Sequence, residues 1–250
     1  MYKKFKDFIS RKFNPKGYYA ARGKIYPKNI EELDALANDP SVNLADIIIP
    51  KRITDLSKLF LKTKRTDFSG LETWDVSHVT DMNHMFYRCP TFTGKEIESW
   101  DVSNVREIWG IFRECENFDA DLSKWKFRVS LEDVSEMFAF CKNFTGRGLE
   151  NWDVSYIKDM KLMFYRCYNF TGRGLENWDV RNVNNMRQMF YLSEKFNADL
   201  SGWNLRSLER ASSIFGSTNV ENIPNNFLKK FEDFSYVEKY NDTPEKYFMR

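Results

Sequence analysis

One aromatic pattern recurs about every 26 residues along most of the chain. Phenylalanines that follow Leu, Met or Ile stand at 60, 86, 112, 138, 164, 190 and 215, and tryptophans stand at 74, 100, 125, 152, 178 and 203. All four cysteines, at 89, 115, 141 and 167, lie three residues after one of these phenylalanines. A unit this short cannot bury its own apolar side chains. The repeat therefore predicts units that stack on one another.

Each unit reads W-D-V-S-x-V-x-x-M-x-x-M-F-x-x-C-x-x-F, followed by a polar turn. The apolar residues between Val79 and Phe86 recur every three or four positions, which predicts a short helix or 3₁₀ segment with Ser77 as its N-cap. Residues 71–76 are better suited to a short strand than to more helix. One strand and one short helix in about 26 residues predict one coil of a solenoid.

The WDVS segments that begin at Trp74, Trp100 and Trp152, each followed by a Met-Phe-x-x-Cys-like element, resemble the BspA-like leucine-rich repeats of bacterial surface proteins and lipoproteins. The resemblance covers roughly residues 46–220. It implies an α/β solenoid, a leucine-rich-repeat-like right-handed stack of about seven 26-residue coils. It also implies a binding role.

Both ends of the chain carry the signals of helical caps. Asn29 followed by Glu32 predicts a helix that runs to about Ala37, and Phe227 belongs to a predicted C-terminal helix over the last coil. Such covers are needed because an open solenoid end exposes its core. We therefore divide the chain into a basic N-terminal helical cap (1–45), the repeat solenoid (46–220) and a C-terminal helical cap (221–250).

The charge is unevenly distributed between the N-terminus and the rest of the chain. Residues 1–28 hold nine Lys and Arg against one acid, which gives +8, and the remaining residues sum to −6. The first residues also predict a basic amphipathic helix. Its expected contacts are nucleic acid, an acidic protein surface or anionic lipid, through Lys3, Lys4, Arg11 and Lys12.

The sequence contains no motif that supports catalysis or the binding of a metal or cofactor. The cysteines lack the close pairing of zinc ligands and are expected to stack as buried free thiols. His78 and His84 lie six residues apart and are expected on the surface. Gly146-Arg147-Gly148 and its copy at 172–174 do not continue to Gly-Lys-Ser/Thr, so we expect turns instead of phosphate loops. We therefore expect a protein that is not an enzyme and holds no cofactor.

Function should then lie where the coils differ. The positions just after the buried Met-Phe pair are predicted to point outward, and Tyr and Arg are the residues that interface hot spots favour. The predicted partner-binding column is Tyr87, Arg88, Arg113, Phe140, Tyr165, Arg166 and Tyr191.

These features predict a non-catalytic, monomeric protein-binding solenoid that acts by occupying its partner. An intracellular adaptor or stoichiometric inhibitor, such as a phage or mobile-element inhibitor of a host nucleic-acid enzyme, fits the missing export signal and lipobox. The longest aliphatic run, at 47–49, is far shorter than the ~20 residues of a membrane span. A cytoplasmic protein is therefore expected. Two alternatives stay open: a surface adhesin-type repeat protein, and a nucleic-acid-associated protein that acts through residues 1–28.

Overall fold

The computed structural model describes residues 19–20, 23–216, 218 and 224–230. A two-stranded antiparallel hairpin, β1 (Tyr19–Ala20) with β2 (Lys24–Ile25), precedes helix α1 (Ile30–Ala37). A stack of coils follows, and helix α2 (Asn225–Lys230) comes after the last coil. The coils contain short 3₁₀ turns at Leu44–Asp46, Leu71–Thr73, Lys95–Ile97, Leu149–Asn151 and Leu175–Asn177.

Helix α1 covers the first coil. The Asn29 side chain accepts the N–H of Glu32 at 3.0 Å, and Leu33 and Leu36 are buried beneath the helix. This confirms the predicted N-cap and helix. At the other end, the Asn38 side-chain amide donates to the Leu59 carbonyl of the first coil at 2.7 Å. An exposed edge carbonyl is thereby satisfied.

Backbone hydrogen bonds join each coil to the next. The N–H of Met82 donates to Glu107 O at 2.8 Å, and that of Phe86 donates to Ile111 O at 2.9 Å. The N–H of His84, between them, also donates to the next coil, to Trp109 O at 3.1 Å, whereas the N–H of Met85 stays within its own coil and closes a tight turn to Met82 O at 3.1 Å. Successive backbone N–H groups therefore alternate between hydrogen bonds to the next coil and hydrogen bonds that close turns within their own coil.

The prediction of a helix or 3₁₀ segment between Val79 and Phe86 is wrong, and so is that of a strand over 71–76. The first segment is a run of turns in which His84 is left-handed (φ 54°). The second begins with the 3₁₀ turn at Leu71–Thr73. Successive three-residue turns place apolar side chains inward at nearly helical spacing, so the sequence pattern could not separate the two structures.

Aromatic side chains form columns through the core. The rings of Phe86 and Phe112 lie 5.9 Å apart between centroids, and those of Phe138 and Phe164 lie 5.7 Å apart. The Trp152 indole N–H donates to a carbonyl of the preceding coil at 3.1 Å. The predicted inward orientation of the repeat Trp and Phe residues is confirmed.

The cysteine position also satisfies a carbonyl of the preceding coil. All four cysteines are buried free thiols, as predicted. The Cys141 thiol donates to Phe112 O at 3.0 Å, and in a later coil the Ser193 hydroxyl donates to Phe164 O at 2.5 Å. Burial raises the pKa of Cys141 well above its ordinary value. The position therefore selects a small side chain with a hydrogen-bond donor, which explains why both Cys and Ser occur there.

Helix α2 packs against the last coil. Its Phe227 ring lies 5.2 Å from Phe215 and 6.4 Å from Trp203, between centroids. The Asn226 side-chain amide donates to Leu200 O at 3.0 Å and to Trp203 O at 2.9 Å. These contacts bury apolar surface and satisfy carbonyls that have no further coil to meet.

A candidate binding surface

The predicted partner-binding column divides into two halves with different environments. In the C-terminal half, Tyr165 is 0% exposed and forms a small second hydrophobic cluster with Ala139 and Leu162. Phe140 and Tyr191 pack against this cluster. The prediction that Tyr165 points outward is wrong, because the aromatic side chains of adjacent coils cover it.

Ring contacts hold this half of the column together. The Tyr165 ring stacks on Tyr191 at 5.5 Å and meets Phe140 edge-on at 5.1 Å. The Arg166 guanidinium lies 5.5 Å from the Phe140 ring centroid. Burial raises the pKa of Tyr165. These aromatic side chains therefore already pack against the side chains of adjacent coils.

The N-terminal half presents an aromatic ring between two guanidinium groups. Arg88 and Arg113 lie 5.1 and 5.2 Å from the centroid of Tyr87. Ion pairs fix both arginines: Arg88 Nε lies 2.6 Å from Glu114, and Arg113 pairs with Glu136. Tyr87 is partly exposed and Arg88 is exposed. This half therefore offers pre-ordered Tyr and Arg side chains at the surface.

Trp109 extends this surface and was not among the predicted site residues. Of the seven tryptophans, it alone falls outside the 26-residue ladder. The six ladder indoles donate to carbonyls of preceding coils, whereas the Trp109 indole N–H has no acceptor among the described residues. Trp109 is partly exposed. The signal available in the sequence was a tryptophan at a repeat position that is polar in the other coils: Ser57, Asn83, Ser135, Lys161, Arg187 and Ser212.

The neighbouring coil holds Trp109 in place. The Asn83 side-chain oxygen accepts the Trp109 backbone N–H at 2.9 Å, and the His84 ring meets the indole edge-on at 4.0 Å between centroids. Gly110 makes this contact possible, since a Cβ there would lie only 2.8 Å from the imidazole. We call His84, Tyr87, Arg88, Trp109 and Arg113 the Trp109 cluster.

His84 supports the cluster from beneath. Its side chain is buried, so the prediction of a surface histidine is wrong for this residue. Burial, and then the positive charges of Arg113 and Lys58, lower the pKa of His84 to about 4. The ring is therefore neutral at physiological pH and packs as an aromatic group.

A second surface feature lies at the duplicated Gly-Arg-Gly segments. They form turns, as predicted, with left-handed Gly148 (φ 88°) and Gly174 (φ 91°). The turns border a groove of about 780 Å³ whose walls include Arg147, Arg173 and Glu150. Across the described residues, no three potential metal ligands lie together. The groove shares no residue with the Trp109 cluster.

Part of the predicted site cannot be placed. Lys3, Lys4, Arg11 and Lys12 lie outside the described residues. In the part of the chain that the structure describes, no helix is long and apolar enough to cross a membrane.

A single family model matches the chain twice, over residues 54–147 and 132–243. The chain belongs to the family described as Mycoplasma protein of unknown function, DUF285. Two matches to one DUF285 model agree with the repeated sequence, and the whole Trp109 cluster lies within the first match. No curated protein and no solved structure matches the chain.

Proposed function

We propose that this DUF285 protein is a non-catalytic scaffold that binds a partner protein through the Trp109 cluster. It would act by occupying that partner, as an adaptor or a stoichiometric inhibitor. The observation that carries the proposal is a partly exposed tryptophan at a variable repeat position, held from beneath by His84.

The composition of the cluster supports this role. Trp, Tyr and Arg dominate interface hot spots because they combine large contact area with directional hydrogen-bond donors. The side chains of Arg88, Arg113 and Trp109 are already fixed by ion pairs and ring contacts. Less conformational entropy is then lost when a partner binds.

The repeat consensus is less available for binding. Its Trp, Phe and Cys side chains are buried and join adjacent coils. The consensus aspartates accept hydrogen bonds from local backbone, as Asp101 does from Ser103 N at 3.0 Å. The surfaces that remain available to a partner are therefore those at which the coils differ in sequence.

The resemblance to BspA-like repeats supports the same binding role in another setting, that of a surface adhesin. The two versions differ in where the partner resides. Affinity purification from separate cytosolic and surface fractions of the native cell distinguishes them, because the partner is expected in only one fraction.

The test of the binding surface uses matched baits. Trp109→Ser installs the residue found at the same repeat position in three other coils, at 57, 135 and 212. Val129→Ser removes the most exposed large apolar side chain described, which is 75% exposed and lies outside the cluster. A partner retained by wild type and Val129→Ser but lost by Trp109→Ser supports the proposal. Equal retention by all three baits contradicts it.

A further inference from the structure

The Trp109 cluster borders a column of carboxylates. Parallel bridges hold Asp81 between Asp55 and Glu107, its counterparts in the adjacent coils. Within the described residues none of these three carboxylates forms an ion pair. Burial raises the pKa of Asp81, and the negative charges of Asp55 and Glu107 raise it further. One side of the cluster is therefore negative.

The other side of the cluster is positive. The N–H of Lys58 donates to Asn83 O at 2.9 Å and that of Lys62 to Tyr87 O at 2.8 Å, so both lysines lie in the coil directly beside His84 and Arg88. Both lysine side chains are exposed, and neither forms an ion pair with any described residue. Lys58 lowers the pKa of His84 and also opposes the rise in the pKa of Asp81, so its charge acts on both sides of the cluster.

Trp109 lies between these two charged columns. Along each coil the carboxylate position comes first, the position of Trp109 follows two residues later, and the position of Lys62 and Arg88 follows five residues after that. In the coil of Trp109 this last position is Glu114, which pairs with Arg88. The aromatic platform therefore has carboxylates on one side and, on the other, the ammonium group of Lys62 beside the Arg88–Glu114 ion pair.

We infer that the Trp109 cluster takes an amphoteric protein segment, an inference that rests on the proposed binding function. An apolar or aromatic side chain of the segment packs on Trp109, an acidic side chain faces Lys62, and a basic side chain faces Asp81 and Glu107. Complementary charges on both sides fix the orientation of the segment and exclude partners of a single sign.

The same arrangement disfavours nucleic acid. Bases stack on aromatic side chains, and phosphates pair with Lys and Arg. The unpaired carboxylates of Asp81 and Glu107 would lie beside that backbone and repel it. A protein segment with both charges suits the surface better.

The test selects displayed random peptides on the immobilised full chain. Wild type is compared with Trp109→Ser and with two charge reversals, Lys62→Glu and Glu107→Lys. Lys62→Glu copies Glu114 at the equivalent position, and Glu107→Lys introduces a cation where the repeat already accepts Arg210. Urea unfolding of each variant confirms that the chain is folded, and a labelled single-stranded oligothymidine serves as the nucleic-acid probe.

We expect wild type to enrich peptides with an apolar residue flanked by both charges, and Trp109→Ser to reduce the enrichment about tenfold. Lys62→Glu should remove the preference for acidic residues, and Glu107→Lys the preference for basic ones. Peptides that depend on Trp109 but not on either charge overturn the inference and leave the binding function standing.

The remaining outcomes would contradict the binding of a protein segment itself, and not only its charge pattern. Peptides indifferent to Trp109→Ser reject the proposed function as well, and so does a failure to enrich any peptide on wild type. If wild type binds oligothymidine and Trp109→Ser abolishes that binding, the cluster binds nucleic acid. The inference of a protein segment is then overturned.

Discussion

The imidazole of His84 lies edge-on against the indole of Trp109 in the following coil, with ring centroids 4.0 Å apart and an interplanar angle of 74°. A buried, neutral histidine thus supports a partly exposed tryptophan. Gly110 is the neighbouring residue that leaves room for the imidazole. The support comes from a different coil than the tryptophan, so the arrangement depends on correct stacking.

Protonation of His84 should destabilise the fold. Its folded-state pKa is about 4, below the ordinary value of 6.5, so the unfolded chain binds the proton first. The stabilisation that the neutral His84 ring supplies is complete above pH 6.5 and is lost as the pH falls toward 4. Relative to a His84→Gln variant, wild type should lose about 2 kcal/mol of unfolding free energy between about pH 8 and about pH 5. Urea unfolding at several pH values measures this difference.

The His84→Gln variant is a matched control because Gln188 occupies the same repeat position with a similar left-handed backbone. Asp81 and Asp133 have raised pKa values, so they add stability as pH falls. Both proteins contain these aspartates, and their contribution cancels in the comparison. Parallel pH profiles for the two proteins would show that His84 is not buried as a neutral ring.

Two tryptophans should differ sharply in their contribution to stability. Trp152→Ala should cost about 3–5 kcal/mol, because the ring is buried and its N–H donates to Leu122 O. Trp109→Ser should cost less than about 1 kcal/mol, since the indole is partly exposed and makes no such bond to a described residue. Equal costs in urea unfolding would contradict the assignment of Trp109 to the outer surface.

Tyr165 should behave as a core residue. Tyr165→Ala should destabilise the protein by about 3 kcal/mol, because it opens a cavity among Ala139, Leu162 and Tyr191. Tyr87→Ala, at the equivalent position of another coil, should cost about 1 kcal/mol through lost contacts with arginine. Thermal unfolding of the two variants provides the comparison. A larger loss for Tyr87→Ala would reverse the assignment of the two halves.

The hydrogen bond made by the cysteine position can be isolated with two substitutions. Cys141→Ala should cost about 1 kcal/mol, because the buried Phe112 carbonyl loses one of its two donors and keeps only the backbone N–H of Cys115. Cys141→Ser keeps the donor and should cost less, as the native Ser193 at this position suggests. If alanine is tolerated as well as serine in urea unfolding, the position selects only for size.

The sequence predicted the period, the core and both helices that flank the stack. Spacing alone is sufficient for the period and the core, since the positions of Trp152 and Phe86 follow from the repeat, whereas the helices were predicted from cap signals such as Asn29. It did not predict the backbone between Val79 and Phe86, because successive turns and a helix place apolar side chains at nearly the same spacing. The inter-coil hydrogen bonds that distinguish them are not encoded locally.

The binding surface was only partly predictable. Tyr87 and Arg88 were identified from their repeat position, and the same rule placed Tyr165 outside. Tyr165 is buried because Phe140 and Tyr191 of the adjacent coils pack against its cluster. The sequence pattern of a single coil does not contain that information. Trp109 was detectable by aligning the coils, but its support by His84 required the three-dimensional stack.

Site-specific photocrosslinking in the native cell tests the binding role of the Trp109 cluster most directly. A benzoylphenylalanine replaces Trp109 in one protein and the exposed Glu150, in the separate groove, in another. We predict that ultraviolet light produces a discrete adduct with a partner protein from position 109 and none from position 150. An adduct from position 150 with none from position 109 would contradict the proposed function.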